Sequence, residues 1–198
     1  MKQVSKPVTN VLLVGVGGQG TVLAGKVLSE AALHQGGEVK LSEIHGMSQR
    51  GGSVVTQVRF GPKVYSPIIK KGEADLIVAF EKMEGLRWIP FLSPSGRIIV
   101  NDRAIEPMPV IIGAARYFPD VIDRIKRRAK ETIVVNASDM AMECGNIKAA
   151  NMVMMGVAAK FLKIRKEIWL EVLAKTVPQR TLEVNQKAFL AGFAYEGF

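Results

Sequence analysis

Two short stretches hold the residue types that could do chemistry. The first, GVGGQG, sets Gly15, Gly17 and Gly20 in GxGxxG spacing, with Gly18 and Gln19 between them. In a dinucleotide site Gly15 would make the tight turn, Gly17 would admit a pyrophosphate, and Gly20 would let a helix pack on a strand. The second, HGMSQRGG, offers a titratable base in His45, neutral hydrogen-bonding side chains in Ser48 and Gln49, and a fixed cation in Arg50. Its glycines Gly46, Gly51 and Gly52 free the backbone to approach another surface closely.

These loops need elements to position them. Asn10 to Val16 is a continuous apolar run ending at glycines, which predicts a strand buried on both faces. The next segment reads at helical period, with Val22, Leu23, Val27, Leu28 and Ala31 facing the sheet and Gly36 or Gly37 ending the helix. Further strands are expected at Glu38 to Ile44, Ala74 to Glu81, Gly96 to Asp102, MPVIIGA from Met108, and TIVVNAS from Thr132. Ser53 to Gly61 alternates and is β-branched, either an extension of the sheet or an antiparallel arm. A helix opens after Pro119, and from Ala137 onward the pattern is helical. The fold class is therefore α/β: a three-layer, Rossmann-like, mostly parallel sheet with helices on both faces and a C-terminal helical segment, in one domain over residues 1–198.

With the glycine turn between strand and helix, a nucleotide site is one reading, and Glu43 stands about where an acid would accept ribose hydroxyls. The bland alternative is a tight turn whose amides bind water, an anion or a neighbouring chain. His45 as a catalytic base lacks an assignable acid to orient it, and a loop histidine is more often a hydrogen-bonding residue. Cys144 reads as a small core or helix-start residue, and Met152, Met154 and Met155 as core filling or a subunit contact. Asn151, polar on an apolar helix, is either exposed or a buried hydrogen-bonding group. No catalytic residue and no metal ligand is assigned.

Composition excludes several classes. The 198 residues are 48% hydrophobic and 23% charged, an ordinary globular balance. No uncharged apolar run reaches about 18 residues, and the start lacks a signal-peptide core, so a cytoplasmic protein without membrane association is expected. A single cysteine cannot by itself build a four-thiolate iron–sulfur or zinc site. The formal charge of +9 favours acidic partners. RIKRRAK, Arg124 to Lys130, is the densest basic run, yet it fits the solvated face of a helix whose other face carries Val121, Ile122, Ile125 and Ala129. Without interleaved aromatics, nucleic acid is not expected as a partner.

Four stretches taken in order carry a resemblance: VLLVGVGGQGTVLAGKVLSEAA, SEIHGMSQRGGSVVTQVRFG, VYSPIIKKGEADLIVAFEKMEGLRWIPFLSPSGRIIVND and GNIKAANMVMMGVAAKF. Together, from about Asn10 to Phe161, they resemble the gamma subunit or domain of the 2-oxoacid:ferredoxin oxidoreductases. HGMSQRGG looks most like the small beta subunit of the indolepyruvate enzymes. The resemblance implies CoA-dependent oxidative decarboxylation of a 2-oxo acid, with electrons passed to ferredoxin. It further implies that thiamine diphosphate, magnesium and iron–sulfur clusters reside in a large partner subunit, with coenzyme A as co-substrate. This chain has no CxxCxxC run and no recognisable thiamine motif. It is expected to hold no cofactor, to be inactive alone and to present Gly15 to Gly20 and His45 to Gly52 to that partner or to the route to the active site. A homodimer of the isolated chain stays open, as does the other reading, a stand-alone NAD- or FAD-binding enzyme.

Overall fold

A computed structural model describes residues 8–46 and 52–197. Strand β1 (Thr9–Val16) leads through the glycine turn into helix α1 (Thr21–Leu33), followed by β2 (Glu38–His45), β3 (Ser53–Gly61) and β4 (Ala74–Ala79). Helix α2 (Lys82–Trp88), β5 (Leu92–Asn101), the short α3 (Met108–Ile111), α4 (Val121–Arg128) and β6 (Glu131–Val135) complete the sheet. Helices α5 (Ala137–Glu143), α6 (Ala150–Ala159), α7 (Lys166–Thr176) and α8 (Gln179–Phe193) close the chain.

The six strands lie in the order β2-β3-β1-β4-β5-β6. β1 pairs in parallel with β4, β4 with β5, and β5 with β6, whereas β3 runs antiparallel to both β1 and β2. β3 is thus inserted beside β1 and displaces β2 to the edge. The expected mostly parallel, Rossmann-like sheet is present, and the choice left open for Ser53 to Gly61 resolves as an antiparallel member within the sheet.

Alternation along β1 explains its burial. Val11 and Leu13 pack with α1 and α6 on one face, while Leu12 and Val14 face the core beneath α2 and α4. All four are fully buried, which is why the run is continuously apolar rather than alternating. α6 is buried over nine of its ten residues, between the sheet and α8. That approach requires glycines: a Cβ on Gly156 would overlap the Phe189 carbonyl, and one on Gly192 would overlap the Val153 carbonyl.

Three expectations need correction, and one open choice resolves. MPVIIGA is not a strand. Pro107 and Pro109 preset helical φ at its start, Ile112 N–H donates to the Met108 carbonyl at 3.0 Å, and no strand lies beside it to accept a ladder. Val22 does not face the sheet but is 45% exposed at the start of α1, while Val27, Leu28 and Ala31 are buried as expected. Cys144 stands at the C-terminal end of α5 rather than at a helix start, half-buried against the core, because its N–H continues the helical pattern to Met140. Asn151 is the buried member of its two alternatives, at 4% exposure. Among the described residues no helix is long and apolar enough to cross a membrane.

Candidate functional site

β1 is followed by a crossover to the β2–β3 side of the sheet and β4 by a crossover to the β5 side, so a crevice opens where their carboxyl ends diverge. Open α/β sheets bind ligands at such switch points. The residues at this edge are tied together by amides. Gln19 folds back so that its Oε1 accepts from Val16 N–H at 2.9 Å and its Nε2 donates to the Phe80 carbonyl at 2.8 Å. A Cβ on Gly15 would stand 2.7 Å from that Oε1, so the first glycine makes room for the glutamine amide. Asn101, 2% exposed, donates to the same Phe80 carbonyl at 3.2 Å and accepts from Ala137 N–H at 3.1 Å. Two amide side chains therefore link the ends of β1, β4 and β5 to the start of α5.

The glycine turn and the base of the second loop meet. Gly17 N–H donates to the Gly52 carbonyl at 3.0 Å, and Gly46 N–H to Ser53 at 2.9 Å. Ser48, Gln49, Arg50 and Gly51 lie outside the described residues. The hydroxyl of Ser53 donates to Glu84 Oε2 at 2.5 Å, which anchors the end of the loop to α2. His45 is half exposed, with Nε2 3.7 Å from Glu43 Oε2, beyond hydrogen-bond range.

A cleft of about 340 Å³ opens beside the turn, lined by Gly17, Gly18, Gln19, Phe80, Asn101, Arg103, Ile105, Ile147, Lys148, Ala150 and Asn151. Among the described residues, Arg103 and Lys148 are its only charged walls. On the other side of the turn a second cleft of about 320 Å³ is bordered by Gly20, Thr21, Val22, His45 and Val54. Asn151 Nδ2 donates to the Gly20 carbonyl at 3.2 Å, which fixes the turn against α6.

The wall carrying Arg103 and Ile105 hangs on a buried acid. Glu81, 1% exposed, accepts from Glu84 N–H at 2.8 Å, from Ile105 N–H at 3.3 Å and from the Tyr117 hydroxyl at 2.5 Å. Burial, reinforced by the adjoining Glu81 carboxylate, pushes the Tyr117 hydroxyl well above the usual tyrosine range. Arg103, Lys148, Glu81 and Asn101 were not singled out from sequence. For Glu81, Asn101 and Arg103 the available signal was their place at or just after apolar strand runs, in VAFE and IIVNDR; Lys148, in the turn before α6, had none.

The geometry speaks against a dinucleotide. Glu43 lies on β2, two strands away from β1, roughly 10 Å at the usual strand spacing, and not beside it as a ribose-binding acid would. The amide of Gly17, which would face a pyrophosphate, is already committed to Gly52. Fold and site together define an open α/β protein of the Rossmann-like class, with a cationic switch-point cleft and, among the described residues, no ribose acid beside β1.

Comparison with known proteins agrees. Residues 10–195 match the family described as pyruvate ferredoxin/flavodoxin oxidoreductase, and the chain belongs to that family. It is 39% identical to the indolepyruvate oxidoreductase subunit IorB of Thermococcus kodakarensis, over 92% of this chain and 93% of that one. Identity to the pyruvate/ketoisovalerate oxidoreductases common subunit gamma of Pyrococcus abyssi is 27%, over 90% and 92% of the two chains. The fold matches the gamma subunit of a keto/oxoacid ferredoxin oxidoreductase from Geobacter sulfurreducens with a TM-score of 0.70 at 23% identity, covering 93% of this chain and 96% of that one.

Proposed function

We propose that this chain is the small subunit of an indolepyruvate:ferredoxin oxidoreductase, acting in the cytoplasm with a large subunit that carries thiamine diphosphate, magnesium and iron–sulfur clusters. The relatives named indolepyruvate oxidoreductase subunit IorB lie at 35–39% identity, and the named gamma subunits lower, at 25–27%. With one cysteine this chain cannot ligate a four-thiolate cluster, so the electron carriers belong to the partner, and the isolated chain is inactive. Coenzyme A and ferredoxin are met through the complex.

The observation that carries the docking assignment is where apolar side chains are exposed. Val22 and Ile147 border the two clefts, Ile44 ends β2, Met108, Ile111 and Ile112 follow β5, and Met142 lies on α5 after β6, all exposed, while Leu33, Leu41, Tyr65, Ile68, Phe118 and Leu190 are exposed elsewhere. Exposed apolar side chains beside the clefts support a contact surface there. This end faces the large subunit, with the loop from His45 to Gly52 contributing Arg50 and Gln49 to the interface or to the route toward the active site.

The test is co-expression with a large subunit that carries the cysteine and thiamine motifs. Wild-type chain should co-purify with it, and Ile111→Asp combined with Ile112→Asp should abolish co-purification while thermal unfolding of the free chain is unchanged. Arg50→Ala should lower coenzyme A affinity or turnover. If neither change affected assembly, coenzyme A affinity or turnover, the docking assignment would fall.

A further inference from the structure

The excursion from Ile105 to Tyr117, between β5 and α4, is tied at both ends to one oxygen. Ile105 N–H donates to Glu81 Oε1 at 3.3 Å, and the Tyr117 hydroxyl donates to the same atom at 2.5 Å. The other oxygen, Oε2, accepts from Glu84 N–H at 2.8 Å, which fixes the carboxylate as the N-cap of α2. Between the two ties no residue from 106 to 116 is buried. Among the described residues, the backbone hydrogen bonds donated from 110–115 all end within the segment, as from Ile111 to Pro107 at 3.2 Å and from Ala115 to Pro109 at 2.9 Å. A helix as short as α3 is not stable in water by itself. Met108, Ile111 and Ile112 nevertheless stand at i, i+3 and i+4 and share one face of that turn, 59%, 61% and 68% exposed.

We propose that residues 105–117 are a preformed docking finger whose Met108, Ile111 and Ile112 face enters an apolar, acid-rimmed groove of the large subunit, and that Glu81 is the residue that positions it. The proposal rests on the subunit reading above. The tie holds a segment that packs nothing of its own, so its effect falls on what the segment meets. Fixing the conformation before contact removes an ordering cost from association, and an apolar helical face laid into a groove is a common mode of recognition. Arg103 and Arg116 stand at the two ends, form no ion pair among the described residues, and have Glu106 as the one acid between them. That charge asks for an acidic rim on the partner. A second copy of this chain fits worse, because a two-fold contact between identical faces brings two basic rims together.

Tyr117→Phe keeps the ring against the core and removes only the donor. Hydrogen exchange of the full chain at short labelling times, where local opening dominates, should show the amides of 110–115 exchanging at close to the rate of unstructured chain while α6 stays protected. Binding must then reorder the segment, so affinity for the large subunit should fall about tenfold. Glu81→Gln, of equal size and uncharged, should shift both readings the same way. In an Ile111→Ala/Ile112→Ala background, where the contact is already lost, Tyr117→Phe should weaken association by much less. Unchanged exchange in both variants overturns the proposal, as does faster exchange with unaltered affinity. So does self-association of the free chain that Ile112→Ala dissolves, which assigns the face to a second copy. A wild-type chain that does not bind the large subunit sinks the subunit reading and the docking with it, whereas wild-type binding that Tyr117→Phe leaves intact sinks the finger alone.

Discussion

Replacing Gly20 by alanine should be much more damaging than replacing Gly18, although both have positive φ in the same turn, +75° and +91°. Placing an L-residue in the left-handed region costs about 1–2 kcal/mol in either case. At Gly18 a new Cβ meets nothing within 4 Å, so that cost is the whole effect. At Gly20 the Cβ would overlap Nδ2 of Asn151 and press on its Cγ at 3.2 Å. The buried amide must then abandon the Gly20 carbonyl, and losing a buried hydrogen bond costs about a further 1–3 kcal/mol. The totals are about 2–5 kcal/mol for Gly20→Ala against about 1–2 for Gly18→Ala. In a chain of this length, each kcal/mol lowers the unfolding midpoint by about 2–4 °C. Urea unfolding and calorimetry read both numbers. Asn151→Ala removes the overlap, so the double variant Gly20→Ala/Asn151→Ala should be less destabilised than the sum of its parts by at least about 1 kcal/mol. Equal losses for the two glycine variants, or strict additivity with Asn151→Ala, would refute the claim that α6 locks the turn.

Three other perturbations probe the same framework. Gly156→Ala or Gly192→Ala drives a methyl into the backbone of the facing helix, and overpacking of this kind costs about 1–3 kcal/mol or more, read as loss of cooperative unfolding or a lowered midpoint. Gln19→Ala removes hydrogen bonds to Val16 and Phe80 and should cost about 1–3 kcal/mol, whereas Gln19→Glu keeps the acceptor for Val16 but turns an anion toward the Phe80 carbonyl, and should be no better tolerated. Tyr117 has its folded pKa raised, so the stability it contributes is complete below the ordinary tyrosine value near 10 and is lost as pH rises above it. Ultraviolet titration should therefore show a tyrosine step delayed until alkaline unfolding, and Tyr117→Phe should abolish that late step.

Much of the frame is legible because it follows from local pattern. The apolar run into Gly15, the helical period after Gly20 and the amphipathic RIKRRAK segment each fix an element without reference to the rest of the chain. β3 is legible as a strand but not in its place, since alternation says that Ser53 to Gly61 is half-buried and nothing about which neighbours it pairs with. That placement is what removes Glu43 from a nucleotide role. MPVIIGA misleads because its β-branched residues favour a strand, while Pro107 and Pro109 and the lack of a neighbouring strand decide for a helical turn. The cleft is assembled from residues at the ends of β1, β4 and β5 and at the start of α6, and so its Arg103, Lys148 and Asn151 could be joined only through the topology. Asn151 alone carried a hint, as a polar residue on an apolar helix.

Whether this chain completes an aryl 2-oxo acid oxidoreductase is read by ferredoxin reduction in the complex assembled with its large subunit, with coenzyme A and each 2-oxo acid in turn. The large subunit alone should be inactive, adding this chain should restore reduction, and indolepyruvate should give a higher kcat/KM than pyruvate. Full activity of the large subunit without this chain, or a preference for pyruvate, would contradict that role.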